Sequence, residues 1–358
     1  MEFWVQDTSE SRTPYKEGRS LLVQQRTGES TCKRHLVSKD EPEALFLPRW
    51  TSGYAGLCRR APDNSGLQAL ERLSLLPINR RKFFKLAAAG GVSALGVDSF
   101  LIEPNRPQVI RKEIKLRRWP ARLDGFTIAL LSDFHYDSDL SVYPIRSSID
   151  IVTRLRPDLI ALTGDFVTVP YIGDMAKAAA AAEPCAQLLG KLKAPYGLWA
   201  VLGNHDASSY PAHVTSALQT AGIQVLSNRS FPIEKNGGRF WLCGIDDVLD
   251  GDPDLAAALR GIPADEASVL LAHEPDYADH VARYPVDLQL SGHSHGGQVR
   301  LPFIPPLFLP EMALKYVWGL YNIGGLTLYT TAGIGTVRLP VRFNCPPEVT
   351  LVQLSRSA

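Results

Sequence analysis

The chain has 358 residues, with 38 lysines and arginines against 37 aspartates and glutamates, 45% hydrophobic residues and five cysteines. This composition excludes collagen-like, coiled-coil and fully disordered chains, and a net charge of +1 lacks the basic excess of a nucleic-acid-binding surface. The cysteines, at 32, 58, 185, 243 and 345, make neither a disulfide framework nor a CxxC knuckle, and no unbroken apolar run reaches the 18 or so residues of a spanning helix.

Residues 1–78 are polar and interrupted, and a segment of that kind buries too little apolar area to offset its ordering entropy, so disorder is expected there. Next comes Arg80-Arg81-Lys82-Phe83-Phe84-Lys85, followed by a short stretch rich in Ala and Gly at 86–97. The segment 79–104 resembles a twin-arginine export signal, which implies the twin-arginine machinery as a partner and a location in the periplasm or on the outer face of the cytoplasmic membrane. An amphipathic helix with a basic start is the alternative. Because such a signal belongs at an N-terminus, residues 1–78 read as an upstream translation artefact. Beyond residue 85, acidic residues outnumber basic ones by 27 to 23.

From about residue 108 the pattern becomes regular. Residues 109–116 alternate like an edge strand, and 127–133, 159–165, 198–204, 268–273 and 286–293 are apolar runs that end in polar residues. Helix-like segments lie near 143–156, 175–193, 211–221, 252–260 and 275–283. Strands alternating with helices predict an α/β layered fold, in which ligands gather at the carboxyl ends of the strands. The five apolar runs all end in Asp, Asn or His.

Collected in order, these strand-end residues are Asp133 and His135, Asp165, Asn204 with His205 and Asp206, His273, and His293 with His295. Five of the eight histidines fall among them; His213 and His280 read as hydrogen-bonded core residues. Carboxylates, imidazoles and one amide oxygen, without thiolate, suit manganese, iron or zinc at a reactive site better than a structural zinc. Strand side chains repeat every two residues, so Asp133-x-His135 and His293-x-His295 are each expected on one face of an extended segment. Gly164 and Gly203 are expected where the backbone turns closely under the metals. Asp137 is either a further polar group at the site or a helix cap, and Asp246 and Asp247 read as a turn.

The blocks Asp133-Phe134-His135, Gly164-Asp165, Gly203-Asn204-His205-Asp206, His273 and Gly292-His293-Ser294-His295 together resemble the calcineurin-like metallophosphoesterase family, over 108–354. The resemblance implies a four-layer αββα sandwich of two mixed β-sheets flanked by helices. It implies that Asp133, His135, Asp165 and His295 hold one divalent metal and that Asp165, Asn204, His273 and His293 hold a second, with Asp165 bridging. Hydrolysis of a phosphoester or pyrophosphate bond by a metal-bridging hydroxide is the implied chemistry. His205 would stabilise a phosphoryl oxygen or protonate the leaving group, and Asp206 would orient His205.

The run Gly296-Gly297-Gln298-Val299-Arg300-Leu301-Pro302 is similar to the exported bacterial subgroup that includes diacylglucosamine pyrophosphatase-like enzymes. That points to a lipid-linked substrate, such as a UDP-diacylglucosamine-like glycolipid or a phospholipid. Prolines at 302, 305, 306 and 310 make 301–310 a poor helix or strand. With the aromatic residues that follow, 301–321 is either a membrane-contacting or acyl-binding surface or a cover over the sheet. A nucleotide or nucleic-acid phosphodiesterase and a non-catalytic metal-dependent binding protein are the alternatives; no nucleic acid is expected.

Overall fold

The computed structural model describes residues 79–170 and 175–357. The disorder expected for 1–78 falls outside the described residues. Along the chain run α1 (Arg80–Val97), β1 (Gln108–Leu116), β2 (Phe126–Leu131), α2 (Val142–Leu155), β3 (Leu159–Leu162), α3 (Met175–Ala180), α4 (Ala182–Leu189) and β4 (Leu198–Ala200). Then come α5 (Asn204–Ser208), α6 (Pro211–Thr220), β5 (Gln224–Val225), β6 (Arg229–Lys235), β7 (Gly238–Gly244), α7 (Leu255–Ala258) and β8 (Ser268–Leu271). The order closes with α8 (Ala278–Val281), β9 (Leu288–Ser291), β10 (Gly319–Ile323), β11 (Leu326–Thr330) and β12 (Glu348–Arg356).

Two mixed six-stranded sheets result, in the orders β1-β12-β2-β3-β4-β5 and β10-β11-β9-β8-β7-β6. In the first, only the β12–β2 pair is antiparallel; in the second, the β10–β11 and β7–β6 pairs are. The alternation of each apolar strand decides how the sheets pack. Phe126, Ile128 and Leu130 of β2 point at the second sheet and meet Phe240, Leu242, Val269, Leu271, Leu288 and Leu290. Ala129 and Leu131 point the other way, onto Ile145, Ile149, Leu189, Val214 and Leu218 of α2, α4 and α6. A third apolar layer seats α7 and α8 on the outer face of the second sheet through Leu255, Ala258 and Val281 against Leu270 and Leu328. This is the four-layer αββα sandwich that the family resemblance implies.

Several elements differ from expectation. The strands stop short of their polar ends, so the ligand-type residues lie on loops beyond the sheet. The helix expected at 175–193 divides in two at Ala181. Both hairpins were missed, although each has a two-residue turn signal: Asn236-Gly237 joins β6 to β7 and Gly324-Gly325 joins β10 to β11. The helix from Arg80 continues in tighter and wider turns to Asn105, and this 26-residue stretch contains an 18-residue window long and apolar enough to cross a membrane. The expectation of no spanning segment rested on unbroken apolar runs, whereas here Ala, Gly and Ser lie among the larger residues without lowering the average much. A signal sequence meets the same criterion, and none of α1 is buried.

Phe240 stands at the centre of the inter-sheet layer, 4.9 Å from Trp119 and 5.2 Å from Phe126 between ring centroids. Phe240→Ala should lower unfolding stability by about 3–5 kcal/mol in urea titrations; a loss below about 1 kcal/mol would contradict this packing.

Candidate metal centre

Asp133 and His135 follow β2, Asp165 follows β3, Asn204 opens α5 behind β4, His273 follows β8, and His293 and His295 follow β9. Extended alternation is not what aims them. Asp133, His135, Asp165, His293 and His295 all have positive φ, between 42° and 69°. That region disfavours L-residues by roughly 1–2 kcal/mol each, and Asp, Asn and His occupy it more readily than most. The loops are pinned there by main-chain bonds: Asp133 donates its amide to Gly164 at 3.0 Å and His135 to Asp165 at 3.0 Å. Gly164 (φ 93°) and Gly203 meet backbone to backbone, and a Cβ on Gly164 would lie 2.5 Å from the Gly203 nitrogen. This close approach matches expectation.

Six of the seven ligand-type side chains fall in clusters linked through His135 and Asp165, one of which takes in His205, and Asn204 lines the same cavity. On one side His135 Nε2 lies 3.0 Å from His295 Nε2, and His295 Nε2 lies 3.6 Å from Asp133 Oδ1. On the other, Asp165, His273 and His293 present ligand atoms within 4.8 Å of one another. Asp165 Oδ2 stands between the groups, 3.4 Å from His135 Nε2 and 3.2 Å from His273 Nε2. Its Oδ1 accepts the His205 amide at 3.0 Å, which fixes the carboxylate plane. Asn204 Oδ1 is buried without a hydrogen-bond partner, as is Asp133 Oδ2. Orphaned buried oxygens are costly unless a cation receives them. The 3.0 Å nitrogen separation is the edge expected for two imidazoles about 2.1 Å from one ion at a right angle. The residues fit a pair of divalent cations.

Their protonation is prepared by the surroundings. His273 Nδ1 donates to the Thr163 carbonyl at 2.5 Å and His293 Nε2 to the Glu311 carbonyl at 2.7 Å, so Nε2 of the first and Nδ1 of the second are left for a ligand. Burial lowers His135 and His293 to about 3 and holds His295 well below its usual range, which keeps three imidazoles neutral. Burial also opposes a charge on His273, but Asp165 more than offsets it and raises His273 well above its usual range. Burial would raise Asp165, yet His273 and His205 hold it well below the carboxylate range. Burial raises Asp133 to about 6.

His205 Nδ1 accepts the Val169 amide at 2.9 Å, so the imidazole proton sits on Nε2. The ring lies 4.8 Å from that of His135. Asp206 departs from expectation. Its carboxylate accepts the amides of Phe166 (2.9 Å), Val167 (3.1 Å) and Gly203 (3.0 Å) and so ties the Asp165 loop to the Asn204 turn; the Val169 amide orients His205 instead. Burial and Asp165 push Asp206 up to about 8, against the pull of those amides. Asp137 caps a turn through the amides of Asp139 and Leu140, and Asp246 and Asp247 bond within their own turn. His213 is exposed and pairs with Glu183 at 3.0 Å, where a core residue was expected.

Sequence reasoning missed Arg342. Its guanidinium is wholly buried and donates to the carbonyls of Ala332, Gly335 and Cys345. The loop it braces returns amides to the backbone, Ile334 to Ser132 at 2.9 Å and Gly335 to Asp133 at 2.7 Å. No sequence signal marks this residue, because its partners are main-chain oxygens.

Known proteins are similar to this chain in sequence. The calcineurin-like phosphoesterase family matches residues 126–297. The chain is 35% identical over 285 residues to the uncharacterized metallophosphoesterase YkuE of Bacillus subtilis, covering 77% of this chain and 98% of that one. It is 32% identical to the phosphodiesterase YaeI of Escherichia coli, over 77% of this chain and 99% of the other. With the UDP-2,3-diacylglucosamine pyrophosphatase LpxG of Chlamydia trachomatis it shares 26% identity, over 70% of this chain and 90% of that one. The chain belongs to the calcineurin-like metallophosphoesterases and is a phosphoester hydrolase.

Metal loading must displace the His273 proton, whereas the other three imidazoles are already neutral. Calorimetry at pH 7 in buffers of different ionisation enthalpy should show at least one proton released per pair of ions, with affinity rising as pH rises. No release would contradict the Asp165–His273 pairing.

Proposed function

We propose that this protein hydrolyses phosphoester or pyrophosphate bonds of a lipid-linked substrate, with two divalent cations held by Asp133, His135, Asp165, Asn204, His273, His293 and His295. The observation that carries the reading is the Asp165 carboxylate lying between two groups of buried ligand atoms. Manganese, iron and zinc all suit such oxygen and nitrogen donors. When bound, two cations supply Lewis acidity and neutralise the charge that develops in phosphoryl transfer.

The chain's own residues have separate tasks. His205 Nε2–H is a fixed donor for a phosphoryl oxygen. Because Nδ1 already accepts the Val169 amide, complete transfer of the Nε2 proton would leave an imidazolate, so stabilisation by hydrogen bonding is favoured over proton delivery. Asp206 keeps the Asp165 and Asn204 loops in register. His273 and His293 are each held in one tautomer by the carbonyls of Thr163 and Glu311, and the Thr168 hydroxyl bonds His135 Nδ1 at 3.1 Å.

The lipid-linked reading rests on the cleft wall. A cavity of about 700 Å³ reaches from His135, Asp165 and Asn204 to Val299, Leu307, Phe308 and Val341. Phe303, Ile304, Leu307 and Phe308 of the neighbouring loop are exposed, which favours a binding surface over a cover for the sheet. The name of LpxG, a relative at 26% identity, agrees with a lipid-linked pyrophosphate. The basic start and apolar body of α1 support export by the twin-arginine route to the outer face of the cytoplasmic membrane, with 301–321 touching lipid.

Assays of the manganese-loaded protein should show turnover of a diacylglucosamine nucleotide in mixed micelles above that of the free nucleotide; the reverse order would favour the nucleotide reading. Asp165→Ala should lose both metals by elemental analysis. His205→Ala should keep both while kcat falls about 10²–10³-fold; loss of metal in His205→Ala would overturn the separation of roles.

A further inference from the structure

The stretch that follows α1 is bonded into the metal domain. Over residues 99–108 it runs beside the segment that enters β12: the Arg342 amide donates to the Ser99 carbonyl at 2.9 Å, and the Gln108 amide donates to the Pro347 carbonyl at 2.8 Å. Glu103 lies between these two bonds. One of its carboxylate oxygens accepts the Asn344 amide at 3.0 Å, and the other accepts the Cys345 amide. Asn344 has φ 52°, and successive amides around a residue in that region form a concavity that receives an anion. Here the anion is a side chain of the same molecule.

The segment gripped in this way reaches the candidate centre from two directions. Cys345 Sγ donates to the His295 carbonyl at 3.3 Å, and it packs so closely on Gly296 that a Cβ there would lie 2.8 Å from the sulfur. Phe343 donates its amide to the Gln298 carbonyl at 3.0 Å and accepts the Arg300 amide at 2.9 Å. His295 has φ 49°, a backbone conformation that persists only where the surroundings enforce it. From the other direction Arg342, which also bonds the Cys345 carbonyl at 3.0 Å, braces the loop that returns to Asp133. Asp133, His135 and His295 form one cluster of ligand-type side chains. His273 and His293, in the other, are oriented by the Thr163 and Glu311 carbonyls instead.

We propose that Glu103 is a positioning residue of the metal centre. By holding the Asn344 and Cys345 amides it fixes residues 342–345, and through them the His295 loop, on the side where Asp133, His135 and His295 meet. The segment resembling an export signal thus ends inside the metal domain, because Ser99 and Glu103 belong to the fold. This inference rests on the two-cation reading and adds a residue that lies outside every metal-ligand motif.

The test is calorimetric titration of the full, metal-free chain with manganese. Glu103→Ala should raise the Kd of one ion about tenfold, the lower end of what losing a partner behind the ligands costs, and that of the other by less than about threefold. Glu103→Gln, which keeps one acceptor oxygen, should fall between wild type and Glu103→Ala. A double-mutant cycle separates positioning from a general loss of stability. In a His295→Ala background, which should retain only the ion on the His273 side, Glu103→Ala should leave the remaining Kd unchanged. Asp158→Ala removes a carboxylate that accepts the Thr127 amide at the opposite end of β3 from Asp165, and it should leave both Kd values unchanged. Hydrogen exchange on the metal-free chain reads the bracing without cations: the Gln298, Arg300 and Phe343 amides should exchange about tenfold faster in Glu103→Ala. Fewer than two ions on the wild type would count against the two-cation reading, and exchange would still decide the role of Glu103. Unchanged Kd values or unchanged exchange in Glu103→Ala, or equal weakening of both ions, would overturn the proposal.

Discussion

One carboxylate oxygen sets the arrangement of the whole centre. Asp165 Oδ2 lies within 3.4 Å of imidazoles that arrive from both sheets, His135 behind β2 and His273 behind β8. A buried carboxylate can hold that position only if its other oxygen is satisfied, and the His205 amide does this. The inter-sheet apolar layer therefore acts on function through register: it brings the tips of two sheets close enough for one side chain to serve both groups.

Bringing them together requires unfavourable backbone. Five of the ligand-type residues have positive φ, and main-chain bonds between neighbouring loops hold them there. Asp206 and Arg342 work on the same problem from opposite directions. The Asp206 carboxylate gathers three amides beneath Asp165, and the Arg342 guanidinium gathers carbonyls beneath Asp133. Each ties the loops that aim the ligands together through several main-chain bonds to one buried polar group. Rigid aim matters because groups already held in place do not have to reorganise when charge develops.

Much of this was legible in the sequence because each apolar run ends on a ligand-type residue, a pattern that survives without coordinates. The α/β layering followed from apolar strands alternating with helices, and the four-layer order from the family resemblance. The hairpins β6–β7 and β10–β11 carried readable Asn-Gly and Gly-Gly turns that were passed over, since their exposed strands lack an apolar face of the same clarity. What the sequence could not carry was backbone geometry: the positive φ of Asp133 and His295, the Glu311 carbonyl that sets the His293 tautomer, and the diversion of Asp206 from His205 to three amides. Each of these depends on main-chain atoms brought near by folding, to which residue identity gives no clue.

Anomalous diffraction from crystals grown with manganese measures the shared carboxylate directly. The account predicts two peaks about 3.5–4 Å apart, one on each side of Asp165 Oδ2. A single peak, or a pair in which only one approaches Asp165, would contradict it.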